Sequence, residues 1–162
     1  MIFEQFIKEK VEYVADDYKI LNKEITNKYD IQLIKLKMNK MIETIKEAQY
    51  RFFNFEIPDI TYNYKNNYQK YNNGIKDSTY SLIAEKIQTE EELSNTYIKM
   101  KNIFDNSFSY AEKVVFINVC IAKKNREFVK EKLKIGSEKY TLIRNSCFIK
   151  FALGFNFKDI EK

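Results

Sequence analysis

Apolar residues recur at alternating spacings of four and three along two stretches near the start of the chain. Ile7, Val11, Val14, Tyr18, Leu21 and Ile25 form one series within residues 2–25, and Ile31, Ile34, Met38, Met41, Ile45, Ala48 and Phe52 form another within 31–52. Acidic residues and lysines fill most of the other positions. That period places apolar side chains on one face of an α-helix. Residues 1–52 are therefore expected to form two helices separated by the TNKYD segment. They pack as an antiparallel hairpin, or pair between two chains as a coiled-coil dimerisation arm.

The pattern breaks at 53–76. Pro58 forbids helix continuation, and TYNYKNNYQKYNNG is dense in Tyr and Asn and ends in a turn signal. This segment reads as an irregular linker. It either stacks on nucleic-acid bases or packs over a neighbouring surface.

Helical periodicity returns at Asp77, a suitable cap for STYSLIAEKIQ. Thr89 with Glu92 has capping-box spacing and opens a helix whose apolar face carries Leu93, Tyr97, Met100 and Phe104. Ser109 with Glu112 repeats that spacing. The helix it opens, over 110–123, carries Val114, Val115, Ile117, Val119 and Ile121. It is apolar almost all round, which predicts a central position. Asn125 can cap REFVKEKLKI, with Phe128, Val129 and Leu133 inward. A compact turn of Ile135, Gly136 and Ser137 follows. A last helix runs from Ser137 to Leu153, with Tyr140, Ile143, Cys147, Phe148 and Phe151 on one face and Gly154 as its stop.

Composition agrees with an all-α fold, because 3 Gly and 1 Pro in 162 residues leave few breakers. No apolar run approaches the ~20 residues of a membrane span, and the first residues lack a signal-peptide layout. A cytoplasmic protein without membrane contact is expected. Histidine is absent, which removes the commonest general base and the commonest zinc ligand. No Gly-rich phosphate loop or metal-ligand spacing is present. The chain is accordingly expected not to be an enzyme and to need no cofactor or metal. Cys120 and Cys147 read as core residues.

Charge is unevenly distributed. Residues 1–60 carry 10 Lys/Arg against 11 Asp/Glu, whereas residues 101–162 carry 13 against 7. A local basic excess suits a phosphate-binding surface, and equally a solvated lysine-rich helix face. Two helices crossing over a short turn need an apolar residue ending the first, one in the turn, and two spaced three apart in the second. Leu133, Ile135, Tyr140 and Ile143 meet that demand. The opposite face of the last helix then shows Glu138 beside Lys139, Thr141, Leu142, Arg144 and Asn145. The last five are side chains suited to reading base edges. Lys123, Lys124, Arg126, Lys130 and Ser137 are candidates for phosphates.

LKIGSEKYTLIR resembles the promoter-recognising block of bacterial sigma factors. Together with SYAEKVVFI, NREFVKEKLKI and CFIKFAL, it makes residues 77–153, within an expected DNA-binding domain at 77–162, similar to the ArpU/RinA family of phage transcriptional regulators. The resemblance implies a sigma-like helix-turn-helix, with Tyr140 and Ile143 in the core, Cys147 as the small residue, and the five named side chains as recognition positions. It also implies a site-specific DNA-binding regulator, probed by promoter or operator duplex and acting with RNA polymerase in a bacterial host cell. Lys134 and Gly136 depart from the family pattern, which has a turn glycine and a capping serine there. A homodimer is expected, since one such unit reads only a few base pairs. The alternative reading is a helical module that binds RNA polymerase or another regulator without touching DNA.

Overall fold

A computed structural model describes residues 2–50 and 74–162. The expected linker lies outside the described residues up to position 73, as does Phe52. Among the described residues the chain is all-helical, with no strands. The α-helices are α1 (Ile2–Lys8), α2 (Lys23–Thr26), α3 (Ile31–Gln49), α4 (Gly74–Asn106), α5 (Tyr110–Val115), α6 (Arg126–Leu133) and α7 (Ser137–Gly154). A single 3₁₀ turn, Asp17–Lys19, precedes α2, and α5 continues as a π-helical segment, Phe116–Ile121. No described helix is long and apolar enough to cross a membrane.

Residues 1–42 and 97–162 form one compact unit, and residues 43–96 form another. This differs from a division at residue 77. The C-terminal helices do not close their own core, because the N-terminal segment supplies part of it. In the second unit, α3 continues its buried stripe with Ile45 and Gln49.

The expected helix over 2–25 is not formed. The chain leaves α1 after Lys8, and Ile7, Val14, Tyr18 and Ile25 are exposed at 48%, 54%, 83% and 36%. The residues that enter the core are Phe3 and Phe6 instead. Phe6 packs edge-on to Phe104 and Phe116, with centroids 5.3 and 5.7 Å away. Aromatic pairs in this geometry add roughly 0.5–1.5 kcal/mol beyond the area they bury. Tertiary gain of that size overrides a weak helical preference. Of the two helices expected over residues 1–52, the first is replaced by α1, the 3₁₀ turn and α2, and the second is formed as α3. Its buried stripe is Ile34, Met38 and Ile42, so Ile42 takes the place expected for Met41.

α4 runs unbroken from Gly74 to Asn106, so Asp77 and Thr89 lie inside it and open no helix. Its last turns bury Met100, Ile103 and Phe104. Phe104, Phe108, Phe116 and Phe151 then pack in series, with centroids 6.1, 5.5 and 5.8 Å apart.

The predicted capping box at α5 is present. Ser109 Oγ accepts from Glu112 N at 3.2 Å, and Ser109 N donates to Glu112 Oε1 at 3.1 Å. The helix expected over 110–123 changes pitch midway. The side-chain amide of Asn118 donates to Val114 O at 2.8 Å, and Ala122 N reaches back to Ile117 O at 2.9 Å, five residues away. A side chain bonding four residues back competes with the backbone ladder and bends it.

Glu112 is fully buried, and its neighbours answer every demand it makes. Lys150 Nζ donates to Oε1 at 2.6 Å, and Ser146 Oγ donates to Oε2 at 3.0 Å. The ammonium places its other two donors on Lys19 O and Ser107 O, both at 2.7 Å. Ser146 Oγ also accepts from Leu21 N at 2.9 Å. Asp16 Oδ1 accepts from Tyr110 N at 2.9 Å, satisfying a first-turn amide of α5 from outside the helix. These bonds hold residues 16–21, with their single 3₁₀ turn, along α5 and α7, a second reason that no α-helix spans 2–25.

Gly154 does not provide the stop expected of it. It is the last residue of α7, and the left-handed residue is Asn156, at φ 55°. A Cβ on Gly154 would lie 2.3 Å from Ile103 Cδ1, so the glycine serves close packing against α4. Beyond it, the tail returns to the start of α3. Asp30 N donates to Ile160 O at 2.7 Å, and Lys162 N to Lys28 O at 3.0 Å.

Removing one partner of the buried ion pair leaves the other charge stranded. Lys150→Met and Glu112→Gln are each expected to cost about 3–5 kcal/mol. The double variant is expected to cost less than the sum of the two, as measured by urea unfolding. Additive losses would show that the two groups act separately.

Candidate nucleic-acid interface

α6 and α7 are joined by Lys134, Ile135 and Gly136. Asn125 caps α6 as predicted, its side chain accepting from Phe128 N at 2.9 Å. α6 ends at Lys134, which adopts the left-handed conformation with φ 56° and ψ 51°. Ile135 N closes the turn on Lys130 O at 3.1 Å. A lysine thus stands where the backbone favours glycine. Gly136, by contrast, has ordinary φ −85° and sits at the cap of α7 with no capping side chain.

Val129, Tyr140 and Ile143 are buried, while Leu133 and Ile135 are half-buried. Burial pushes the Tyr140 hydroxyl above its usual pKa. Burial also pushes the Cys147 thiol well up, and a hydrogen bond with Cys120 adds to it. Both cysteines are buried, as predicted. Phe128, expected inward, is 41% exposed. One step along a helix turns about 100°, so with Val129 at the centre of the buried stripe Phe128 is rotated outward. Its ring lies between two cations, Lys124 Nζ at 5.1 Å and Lys132 Nζ at 6.0 Å from the centroid.

α7 has two unlike halves. Ser146, Cys147, Phe148, Ile149, Phe151 and Ala152 are all buried, so most of the helix from Ser146 to Ala152 is core, while Leu153 is 51% exposed. Before that, Lys139 and Thr141 are exposed, and Leu142, Arg144 and Asn145 are half-exposed. Thr141, Leu142 and Asn145 lie opposite the buried Tyr140 and Ile143, Arg144 lies to one side of them, and Lys139 lies on the flank that faces residues 16–21, a heptad before Ser146. Two of them are coupled: Arg144 Nε and Nη2 both donate to Asn145 Oδ1, at 3.2 and 3.0 Å, with the guanidinium 5.9 Å from the Phe148 centroid. The Thr141 hydroxyl donates to Ser137 O at 3.0 Å, which leaves its oxygen to accept. Lys139 Nζ stands 3.5 Å from Asp17 Oδ2.

The five phosphate candidates are spread more widely. Lys130 Nζ donates to Ser137 Oγ at 2.8 Å, bringing α6 and the start of α7 together. Arg126 and Lys130 both pair with Glu127, at 3.4 and 3.5 Å. Lys124 lies against Phe128. Lys123 is left-handed at φ 57° and reaches Asn39 of α3, 3.5 Å away, so it stands apart from the others. Residues 123–145 hold eight Lys/Arg and three Asp/Glu. Sequence reasoning missed Asp17, Phe128, Lys132 and Lys134. Lys132 and Lys134 were visible in the charge count, whereas nothing local marks Asp17 as a neighbour of α7.

The fold and this surface define an all-α protein with a basic two-helix unit. No family model, curated protein or solved structure matches the chain.

A left-handed lysine carries a cost of about 1–2 kcal/mol from its Cβ. Lys134→Gly is therefore expected to stabilise the chain by about 1 kcal/mol in urea unfolding. An unchanged or lower midpoint would contradict the assigned backbone.

Proposed function

We propose that this chain is a site-specific DNA-binding regulator in which α6 and α7 act as a sigma-like helix-turn-helix. The observation that carries the reading is the division of α7. Most of its second half is locked into the core, while its first turns present Lys139, Thr141, Leu142, Arg144 and Asn145 outward. A recognition helix contacts base edges from its N-terminal residues in this way. Arg144 and Asn145, held to each other, would approach a guanine or adenine edge together. Lys124, Arg126 and Lys130, with Ser137 at the uncapped start of α7, would take phosphates. The resemblance to ArpU/RinA-type phage regulators supports promoter DNA as the ligand and RNA polymerase as a further partner, inside a bacterial host cell. Adequate specificity calls for two copies on paired half-sites.

A second reading, a protein-binding module, is favoured by one observation: Phe128 is exposed in the first turn of α6. An aromatic flanked by lysines suits an acidic protein surface as well as a phosphate backbone.

Fluorescence titration of the full chain against fragments of its own gene neighbourhood separates the two. DNA reading predicts saturable binding to one fragment that survives random competitor and weakens steeply with salt, because phosphate contacts release counterions. No binding at low or moderate salt would overturn it, and salt-insensitive capture of RNA polymerase would support the second. Arg144→Ala is expected to cost roughly 1–3 kcal/mol at the preferred site and to relax one base preference. Lys124→Ala is expected to weaken all sequences about equally and to lower the salt slope by about 1. Parental binding by both variants would place the interface elsewhere.

A further inference from the structure

Lys139 and Asp17 meet at the exposed edge of α7 where residues 16–21 run beside it, with Nζ 3.5 Å from Oδ2 and side chains 54% and 69% exposed. An ion pair this exposed contributes little to stability. The backbone that carries Asp17 is nonetheless firmly mounted. Asp17 opens the 3₁₀ turn whose flanks are tied down on three sides. Asp16 accepts from Tyr110 N, Lys19 O accepts from Lys150, and Leu21 N donates to Ser146. The pair therefore holds a cationic donor and an anionic acceptor side by side at a defined place on the candidate interface.

The major-groove edge of a G·C pair offers the complementary arrangement. Guanine N7 and O6 accept, and cytosine N4 donates. O6 and N4 are hydrogen-bonded to each other at about 2.9 Å, close to the spacing of the side-chain pair. An A·T pair fits less well. A carboxylate on adenine N6 would face the lone pair of N7, and the thymine methyl would crowd the ammonium at O4.

We propose that Asp17 and Lys139 together read one G·C pair, the ammonium on guanine O6 and N7 and the carboxylate on cytosine N4. The proposal rests on the DNA-binding reading. It adds a specificity-determining residue from outside the two helices, delivered by the N-terminal segment.

The test is selection of binding sites from a randomised duplex library by the full chain, compared with Asp17→Ala and Lys139→Ala. The selected site is expected to contain one strongly preferred G·C position. Each variant is expected to lose about tenfold of the preference at that same position, other positions being unchanged. Because both side chains are exposed, both variants are expected to keep the parental melting temperature. The proposal is overturned if Asp17→Ala keeps the G·C preference. It is also overturned if that variant tightens binding to all sequences alike, since the carboxylate would then merely repel phosphates. A parent that selects no sequence would instead overturn the DNA-binding reading itself.

Discussion

A carboxylate with no solvent contact sets the conditions for the rest of the larger unit. Glu112 carries its charge into the core at the first turn of α5, where the helix dipole favours it. Desolvating that charge is tolerable only with full compensation. The compensation comes from the backbone amide of Ser109, at the cap of the same helix, and from the Ser146 hydroxyl and Lys150 ammonium of α7. Lys150 spends one hydrogen on the carboxylate and two on the carbonyls of Lys19 and Ser107. Three segments far apart in sequence are thus obliged to meet at one point. A hydrophobic contact could slide by an ångström, whereas these directional bonds cannot.

That junction decides what α7 has left to offer. Ser146 and Lys150 point into it, and Cys147, Ile149 and Phe151 are buried on the remaining sides. The exposed positions of the helix lie before Ser146 and, at the far end, at Leu153. The same junction draws residues 16–21 alongside α7, which brings Asp17 to Lys139. Affinity for an anionic partner and discrimination between partners would then come from different elements. On the proposed reading, Lys124, Arg126 and Lys130 would supply the first, and the side chains along the start of α7 the second.

Local backbone preferences yield where packing or bonding outweighs them. Lys134 sits in the left-handed region because the turn between α6 and α7 requires it, at a cost that the buried Val129, Tyr140 and Ile143 outweigh. The π-helical stretch after Val115 loses regular bonds around Asn118 and keeps Phe116, Ile117, Cys120 and Ile121 in the core. The exposed Tyr18 and Val14 show the same balance: the segment that carries them is held by polar contacts of its neighbours.

The sequence by itself determined the helical class, the cap at Ser109 with Glu112, the cap at Asn125, and the burial of Tyr140, Ile143 and Cys147. Each of these depends on residues within a few positions of one another, and local spacing encodes them. It also marked the five outward side chains of α7, since a buried face leaves the other sides to solvent. Only the tertiary structure decided that Phe3 and Phe6, not the longer aliphatic stripe, anchor the N-terminal segment. The same holds for the unbroken α4, the close approach at Gly154, and the placing of Asp17 beside Lys139. The physical reason is common to all four. Burial and hydrogen bonding between distant segments outweigh helix preferences worth tenths of a kcal/mol per residue, and periodicity along the chain carries no record of which segments will meet.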